Sequence, residues 1–281
     1  MAQTLFLLFK LIFTISLVSS IGVEGYDYFL MVQQWGPSTC ACVRCYAQPL
    51  PMFTIHGLWP GNNNSPHPLI NCSGTPFKPT QIPTAQRQQL LTYWPNVEDG
   101  NHQWFWGNEW LKHGKCSDPP FNQTAYFQTA LNIRTNHNYD LLAILNAAGL
   151  GPTGTGFRNY TAIEGAIHAA TNRTPFLRCD VNAHTRRYQL YEIVLCFDRN
   201  GVTLINCNRN NTRALRKRCP NQFVWLTRNP LSLGVAFWEL KDSLIYHLSL
   251  SKLLLTFVAL STAFAFVCWK RFFQGGRSKK D

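Results

Sequence analysis

Acidic side chains are scarce in this sequence of 281 residues. Asp and Glu number 14 against 26 Lys and Arg, which gives a formal net charge of +12 at pH 7. Residues 26–226 alone hold 17 basic and 10 acidic side chains, so the imbalance is not confined to the chain ends. A surplus of this size favours a polyanionic partner such as nucleic acid, an acidic glycan or a membrane surface, and it says nothing about chemistry.

The sequence also lacks internal repeats and long low-complexity stretches, which argues against a repeat array. Apolar residues make up 46% and aromatic residues 14% of the chain. That composition suffices for a packed core, so intrinsic disorder is excluded as the main state. Residues 26–226 lie between two terminal apolar runs and have the size of an ordinary domain. One domain is therefore predicted for them.

The N-terminus has the pattern of a secretory signal. Lys10 precedes the apolar run 11–18, and small residues follow it as far as Gly25. This pattern predicts a signal peptide over residues 1–25, because a membrane anchor needs a longer apolar span. The mature chain is expected to enter the secretory pathway, where the environment is oxidising.

A second apolar run lies near the C-terminus. Residues 253–269 are uncharged and would span roughly 25 Å as a helix, slightly less than the ~30 Å hydrocarbon core. Lys252 and Lys270 could snorkel to the interfaces on either side. The basic stretch 270–281 would then form a cytoplasmic tail, with 227–252 as a linker. The sequence thus allows a single-pass membrane protein, and the alternative is an incidental extension.

Nine of the ten cysteines lie within residues 26–226. The cluster Cys40, Cys42 and Cys45 lacks a second pair or a histidine at zinc-site spacing, so no metal site is expected. Four disulfides and one spare thiol are predicted instead, and spacing leaves their connectivity open. Six Asn-x-Ser/Thr sequons suit a secreted glycoprotein. They begin at Asn63, Asn71, Asn122, Asn159, Asn172 and Asn210.

Hydrophobic periodicity predicts strands in the first and last parts of this body and helices in the middle. The predicted strands are Tyr28–Trp35, Met52–Leu58, Tyr188–Phe197 and Val202–Cys207. The predicted helices are Pro83–Trp94, Trp104–Lys115, Phe121–Arg134 and Tyr139–Ala148. Asn200 and Gly201 form a hairpin signal between the last two strands. This order predicts an α+β domain with an antiparallel sheet and packed helices.

Two segments hold the side chains best suited to proton transfer. His56 lies on a predicted strand whose apolar neighbours face one way while its imidazole faces the other. On a predicted helix, Glu109 and His113 are four residues apart on one face, with Lys112 beside them. A base, an acid and a fixed cation are what cleavage of a phosphodiester by a neighbouring 2'-hydroxyl requires, and RNA carries that hydroxyl. The alternative is a structural His56 and an ordinary surface pair on the helix.

These two segments resemble the active-site segments of the T2 ribonucleases. The first is FTIHGLWP at 53–60, and the second is EW-x-KHG-x-C at 109–116. The resemblance covers Tyr28 to Phe223 and includes QQW at 33–35, WPN at 94–96 and TPFLRC at 174–179. It is strongest to plant members. The basic charge and the sequons resemble the pistil self-incompatibility ribonucleases of the rose family, with stress-induced plant relatives as the alternative.

The resemblance implies roles for individual residues. His113 corresponds to the residue usually taken as the general base and His56 to the general acid, although the reverse order has been argued. Glu109 and Lys112 match the residues that polarise the phosphate and stabilise the pentavalent state. No cofactor is implied. The implied disulfides are Cys40–Cys45, Cys72–Cys116, Cys179–Cys219 and Cys196–Cys207, which leaves Cys42 as the odd thiol.

The resemblance also implies a base-binding site and shows where this chain departs from the pattern. Gln34, Asn96 and Phe105 match residues that hold a base in related plant enzymes, with Phe105 available for stacking. Asn108 stands where many members carry a histidine that contacts phosphate, and Lys115 where threonine is usual. Asparagine can donate a hydrogen bond but carries no charge, so this change bears on the rate more than on the reaction.

The predicted function is a metal-independent endoribonuclease of the secretory pathway. It would cleave single-stranded RNA by transphosphorylation through a 2',3'-cyclic phosphate. A pistil determinant of self-incompatibility would also meet protein partners in pollen. The alternatives are a stress, defence or phosphate-scavenging ribonuclease and a membrane-tethered recognition protein with the same fold and negligible turnover.

Overall fold

The computed structural model describes residues 25–227, apart from residues 44, 48, 66, 208–211, 213 and 214. Residues 1–24 and 228–281 lie outside this range, and with them most of the predicted signal peptide, the linker, the apolar run 253–269 and the basic tail. The sequon at Asn210 also lies outside it. Among the described residues, no helix has the length and apolar character that a membrane crossing requires.

A largely antiparallel sheet forms the centre of the described domain. Its strands are β1 (Tyr28–Trp35), β2 (Phe53–Gly61), β3 (Phe157–Asn159), β4 (Phe176–Val181), β5 (Tyr188–Asp198), β6 (Leu204–Ile205) and β7 (Gln222–Val224). The main strand order is β2-β1-β5-β7-β3, and β4 and β6 also pair with β5. Only the single β5–β7 pairing is parallel. Because β5 contacts β1, β4, β6 and β7, it joins the first and last parts of the sequence.

Six α-helices accompany the sheet in the described part of the chain. They are α1 (Gly36–Cys40), α2 (Thr84–Tyr93), α3 (His102–Lys112), α4 (Gln123–Thr135), α5 (Leu141–Ala147) and α6 (Tyr160–Thr171). Short 3-10 helices cover Pro79–Gln81, Gly114–Ser117 and His137–Tyr139. Side-chain caps set several starts: Asn101, Asn122 and Asp140 each accept a hydrogen bond from a backbone N–H of the first turn.

The α+β class with an antiparallel sheet is confirmed, and the helix and strand boundaries differ by a few residues. The helix predicted to reach Lys115 ends at Lys112, after which the chain tightens into a 3-10 turn. The hairpin is present, with Gly201 at a φ of 69°. Helix α6 and the short strands β3, β4 and β7 were not predicted. Strands β3 and β7, of three residues each, are too brief to show an alternating pattern.

Each face of the sheet is covered by apolar side chains. The larger core, between sheet and helices, contains Trp35, Trp94, Trp106 and Trp110, all at most 1% exposed. A smaller cluster on the opposite face includes the side chain of Trp59. All four disulfides implied by the resemblance are present, and Cys42 is the free thiol among the described cysteines.

Candidate active site

A β-bulge in β2 determines where His56 points. In the β1–β2 ladder Val32 lies opposite Gly57 and Gln33 opposite Ile55, so His56 has no partner on β1. The extra residue changes the alternation of the strand, and bulges of this kind re-aim side chains near active sites. Ile55 and Leu58 both enter the larger core, whereas His56 lies beside Trp59, with ring centroids 5.2 Å apart.

The backbone carbonyl that the bulge leaves unpaired still has a partner. The indole Nε1 of Trp94 donates a hydrogen bond to the His56 carbonyl oxygen at 3.0 Å. The Tyr126 hydroxyl donates to the Leu58 carbonyl two residues further on, at 2.8 Å. Both donors come from the helical side of the sheet, so the core fixes the bulge from behind.

The imidazole of His56 is held by a buried carboxylate. Its Nδ1 lies 2.5 Å from Oε1 of Glu192, a side chain with no solvent exposure, while 26% of the His56 side chain remains accessible. Arg178 contacts the other oxygen, Oε2, through its Nη1. Burial lowers the pKa of His56, but the negative charges of Glu192 and Glu109 and the hydrogen bond to Glu192 outweigh it and raise that pKa above 6.5.

His113 has the opposite environment. It follows the last residue of α3, and its ring stacks on Trp59 at a centroid distance of 5.1 Å and an interplanar angle of 26°. Its Nδ1 lies 3.1 Å from the Leu69 carbonyl oxygen and therefore carries the proton that this bond needs. Burial, together with the nearby positive charges of Lys112 and His56, lowers the pKa of His113 to about 3 despite that hydrogen bond.

Glu109 completes the cluster from α3. Its Oε2 accepts a hydrogen bond from Nε1 of Trp59 at 3.0 Å, and the side chain is 3% exposed. Burial raises the pKa of Glu109 above its usual range, although His56, Trp59 and Lys112 favour the charged form. Trp59 is thus the centre of the site: the two imidazoles lie against its ring system and the carboxyl group binds its indole nitrogen.

The remaining predicted site residues differ in how close they lie to Trp59 and the two histidines. Lys112 and Asn108 are on α3 with exposed side chains. Phe105, half-buried on the same helix, has its ring centroid 6.1 Å from that of His56. Gln34 is buried on β1 opposite Glu192 of β5. The structure therefore brings Phe105 close to His56 and places Gln34 beside the residue that contacts His56.

Asn96 is engaged within its own turn. Its Nδ2 donates to Asp99 at 2.6 Å, and its Oδ1 accepts from the backbone N–H of Glu98 at 3.0 Å. Its backbone N–H donates to Nδ1 of His102 at 3.0 Å. In this conformation the amide stabilises the segment before α3. A base would have to share or replace these bonds.

Three residues at the site were not predicted: Trp59, Glu192 and Arg178. Trp59 belongs to the first motif, but no role was predicted for it. Glu192 lies in the middle of an otherwise apolar predicted strand, Tyr188–Phe197. An acidic residue at such a position is buried only with a partner, so it was a usable signal. Within the described residues, no group of three or more His, Cys, Asp or Glu side chains could hold a metal ion.

Two imidazoles, one facing a neutral carbonyl and the other a carboxylate, lie with a carboxyl group around one indole on an α+β domain, and this arrangement is typical of a protein that performs acid–base chemistry. The sequence profile of the Ribonuclease T2 family matches residues 26–207. The chain belongs to that family, and it is a plant-type T2 endoribonuclease.

Known proteins support this assignment. Ribonuclease MC of Momordica charantia is 42% identical over 193 residues, which cover 67% of this chain and 98% of that protein. Ribonuclease S-7 of Pyrus pyrifolia is 39% identical over 198 residues, covering 69% and 85%. A structure of an RNase MC1 mutant in complex with 5'-GMP shares 40% identity at a TM-score of 0.63, and the match covers 71% of this chain and 99% of that one.

Proposed function

We propose that this endoribonuclease cleaves single-stranded RNA by transphosphorylation, with His113 as the general base and His56 as the general acid. The observation that carries the proposal is that Nδ1 of each imidazole meets a different kind of acceptor oxygen, although both rings lie against the same indole ring. His113 meets a carbonyl oxygen, whereas His56 meets a carboxylate. The first environment favours a neutral ring and the second a charged ring.

The base step follows from the tautomer of His113. Because Nδ1 donates to the Leu69 carbonyl, Nε2 carries the free lone pair. The lowered pKa, about 3, keeps this ring neutral at ordinary pH. Nε2 takes the proton of the 2'-hydroxyl, whose oxygen then attacks the adjacent phosphorus and forms the ring of the 2',3'-cyclic phosphate.

The acid step follows from the contact of His56 with Glu192. Its Nδ1 is occupied, so Nε2 is the nitrogen left for the substrate. A raised pKa keeps the ring protonated near neutral pH. Nε2 gives its proton to the departing 5'-oxygen as the P–O bond breaks. His56 ends neutral and His113 ends charged, so the hydrolysis of the cyclic phosphate can use the two roles in reverse.

Glu109 and Lys112 bind the phosphoryl group in this proposal. Lys112, exposed on the last turn of α3, supplies a positive charge for the non-bridging oxygens as negative charge accumulates in the pentavalent state. Burial raises the pKa of Glu109 above its usual range, while Lys112 and the hydrogen bond from Trp59 favour its charged form. The bond from Trp59 holds that carboxyl in place.

Gln34, Asn96, Phe105 and Asn108 form the substrate-binding part of the proposal. The half-buried ring of Phe105 provides a stacking surface close to His56. The amides supply donors and acceptors for a base edge or a phosphate. We propose little sequence preference, because stacking tolerates every base.

The test is the cleavage of a single-stranded RNA by the full chain in excess chelator. The expected products carry 2',3'-cyclic phosphate ends. The activity is expected to fall as pH drops towards the pKa of His113 and as pH rises through the raised pKa of His56. Replacing His113 or His56 by Asn is expected to cost about a hundredfold or more in kcat. A His113→Asn protein that is folded and cuts RNA at the parental rate would overturn the assignment.

For the biological role, we propose a secreted glycoprotein that acts in pistil self-incompatibility. The support is the predicted signal peptide, the sequons, the net charge of +12 and the 39% identity to Ribonuclease S-7. The five described sequon asparagines are all exposed. The test is tissue expression: transcripts confined to styles support the role. Induction in leaves or roots by wounding or phosphate starvation would instead favour the stress, defence or phosphate-scavenging alternative.

A further inference from the structure

We propose that Glu192 is a positioning residue for the general acid His56 and that Arg178 holds the Glu192 side chain in place for this task. The inference rests on the proposed function, in which His56 delivers a proton to the leaving group. It adds a chain of three charged side chains, Arg178–Glu192–His56, to the site that the sequence motifs define.

The three residues come from three strands of one sheet. His56 is the bulged residue of β2, Glu192 lies on β5, and Arg178 lies on β4 directly opposite Glu192 in the ladder. Between β2 and β5 runs β1, where Gln34 is the register partner of Glu192. The bulge turns the His56 imidazole towards β5. As a result, Nδ1 of His56 lies 2.5 Å from Oε1 of Glu192, across the intervening strand β1.

The Glu192 side chain has no exposure to water, and charged side chains take the place of water around its carboxylate. Here each oxygen has one partner: Oε2 meets Nη1 of Arg178, and Oε1 meets Nδ1 of His56. Arg178 is itself fixed, since its Nε donates to the Arg216 carbonyl at 3.1 Å and its guanidinium lies 5.9 Å from the Trp59 ring centroid.

This arrangement orients the acid and stabilises its charged form. With Nδ1 bound to Glu192, only Nε2 can exchange a proton with the substrate. When that proton moves to the 5'-oxygen, the neutral imidazole keeps Nδ1–H and the same hydrogen bond, so the ring need not turn. Asp or Glu residues that orient a catalytic histidine in this way stabilise the imidazolium without taking its proton.

Other charged groups also face His56. Glu109 from α3 favours the charged imidazole, whereas Arg178 from β4 and a protonated His113 oppose it. Glu109 also contacts Trp59 and is assigned to the phosphoryl group. Glu192 is therefore the carboxylate that can be changed with the least direct effect on the substrate, because it contacts His56 and Arg178 and is fully buried.

The experiment compares two substrates in the full-length Glu192→Gln protein. One is a dinucleoside phosphate, whose 5'-alkoxide needs a proton in order to leave. The other is a nucleoside 3'-(4-nitrophenyl phosphate), whose leaving group needs none. On the first, we expect kcat to fall about tenfold or more at neutral pH, less than on removal of the acid itself. We also expect a nearly unchanged KM and an alkaline limb of the pH profile at lower pH. On the second, we expect a change of less than about twofold.

Two control variants separate this inference from the proposed function. Asp180 is a partly exposed residue of β4 whose Oδ2 lies 2.9 Å from Nζ of Lys217. Asp180→Asn removes this carboxylate and should leave the rates on both substrates unchanged. His56→Ala should slow the dinucleotide and spare the nitrophenyl substrate. Equal slowing of both substrates by His56→Ala would refute the acid assignment. If His56→Ala leaves the rate on the nitrophenyl substrate unchanged while Glu192→Gln slows both substrates or neither, the assignment of His56 as the acid is supported and the positioning role of Glu192 is overturned.

A folding defect in Glu192→Gln would not end the test. That variant leaves Arg178 without its counter-charge in a site where Arg178 is 13% exposed, which is destabilising. The double variant Arg178→Gln/Glu192→Gln removes both charges and is expected to shift the alkaline limb in the same direction but by less, because Arg178 opposes the charged imidazole. Glu192→Asp keeps the negative charge, so its alkaline limb should lie closer to that of the parent than the limb of Glu192→Gln does. A parental alkaline limb in the double variant would overturn the inference.

Discussion

Gly57 is expected to be required for activity because no room exists for a side chain at this position, and not because of its backbone conformation. It lies between His56 and Trp59 in β2, and its φ is outside the left-handed region that favours glycine. A Cβ added there would come within 3.0 Å of Nε1 of Trp59 and of Oε2 of Glu109. These are the two atoms that share the hydrogen bond at the centre of the site.

The magnitude of a Gly57→Ala change follows from this geometry. Backbone holds the new methyl in place, so the Trp59–Glu109 pair must move apart by roughly 1 Å, the difference between such a contact and an ordinary one. Leaving a buried donor or acceptor without its hydrogen-bond partner costs about 1–3 kcal/mol of unfolding free energy. A displacement of this size at a catalytic group costs up to about a hundredfold in kcat.

The assay is paired measurement of kcat on single-stranded RNA and of the thermal unfolding midpoint. Gly165→Ala is the matched control, because its Cβ on α6 meets no atom within 4 Å. A glycine in the interior of a helix costs about 0.5–1 kcal/mol relative to alanine, so this control should be as active as the parent and slightly more stable. A Gly57→Ala protein with parental kcat and stability would show that Glu109 and Trp59 can move without consequence, and the account of the site would be wrong.

Three further outcomes are expected. Asn108→His should raise kcat a few-fold at mildly acidic pH and little where that imidazole is neutral; a change in KM alone would mean that position 108 binds ground and transition states equally. RNA affinity should weaken as salt increases, because 17 basic side chains in residues 26–226 displace counterions from a polyanion, and a salt-independent affinity would contradict this. The full-length chain should remain with membranes after an alkaline carbonate wash if 253–269 spans the bilayer, and its release would refute the span.

The sequence predicted the parts of the site that are local. Glu109 and His113 are four residues apart, and the backbone N–H of His113 donates to the Glu109 carbonyl at 2.9 Å, so helical spacing alone brings them to one place. His56 was also assigned the outward direction that it has. The disulfides needed the family resemblance, because spacing admits many pairings.

The parts that could not be predicted depend on the register of distant strands. The bulge at His56 is visible only when β2 is paired with β1, since the sequence between Phe53 and Gly61 shows no insertion of its own. The contact between His56 and Glu192 joins residues 136 positions apart. Neither periodicity nor composition carries information about such a pair, and only the unusual acidic residue within a buried strand hinted at it.

The two histidines illustrate why the pairing of distant strands matters for the proposed mechanism. From their residue types alone the two histidines are equivalent, and only the family resemblance gives the usual order, with His113 as the base and His56 as the acid, although the reverse has been argued. In the fold, His113 comes to lie behind Trp59 with a neutral carbonyl as its partner, whereas the bulge turns His56 towards a carboxylate that Arg178 supports. In the proposed mechanism, the same ring type therefore acts as a proton acceptor in one position and as a proton donor in the other. That assignment depends on what strand β5 places opposite the motif, and not on the motif alone.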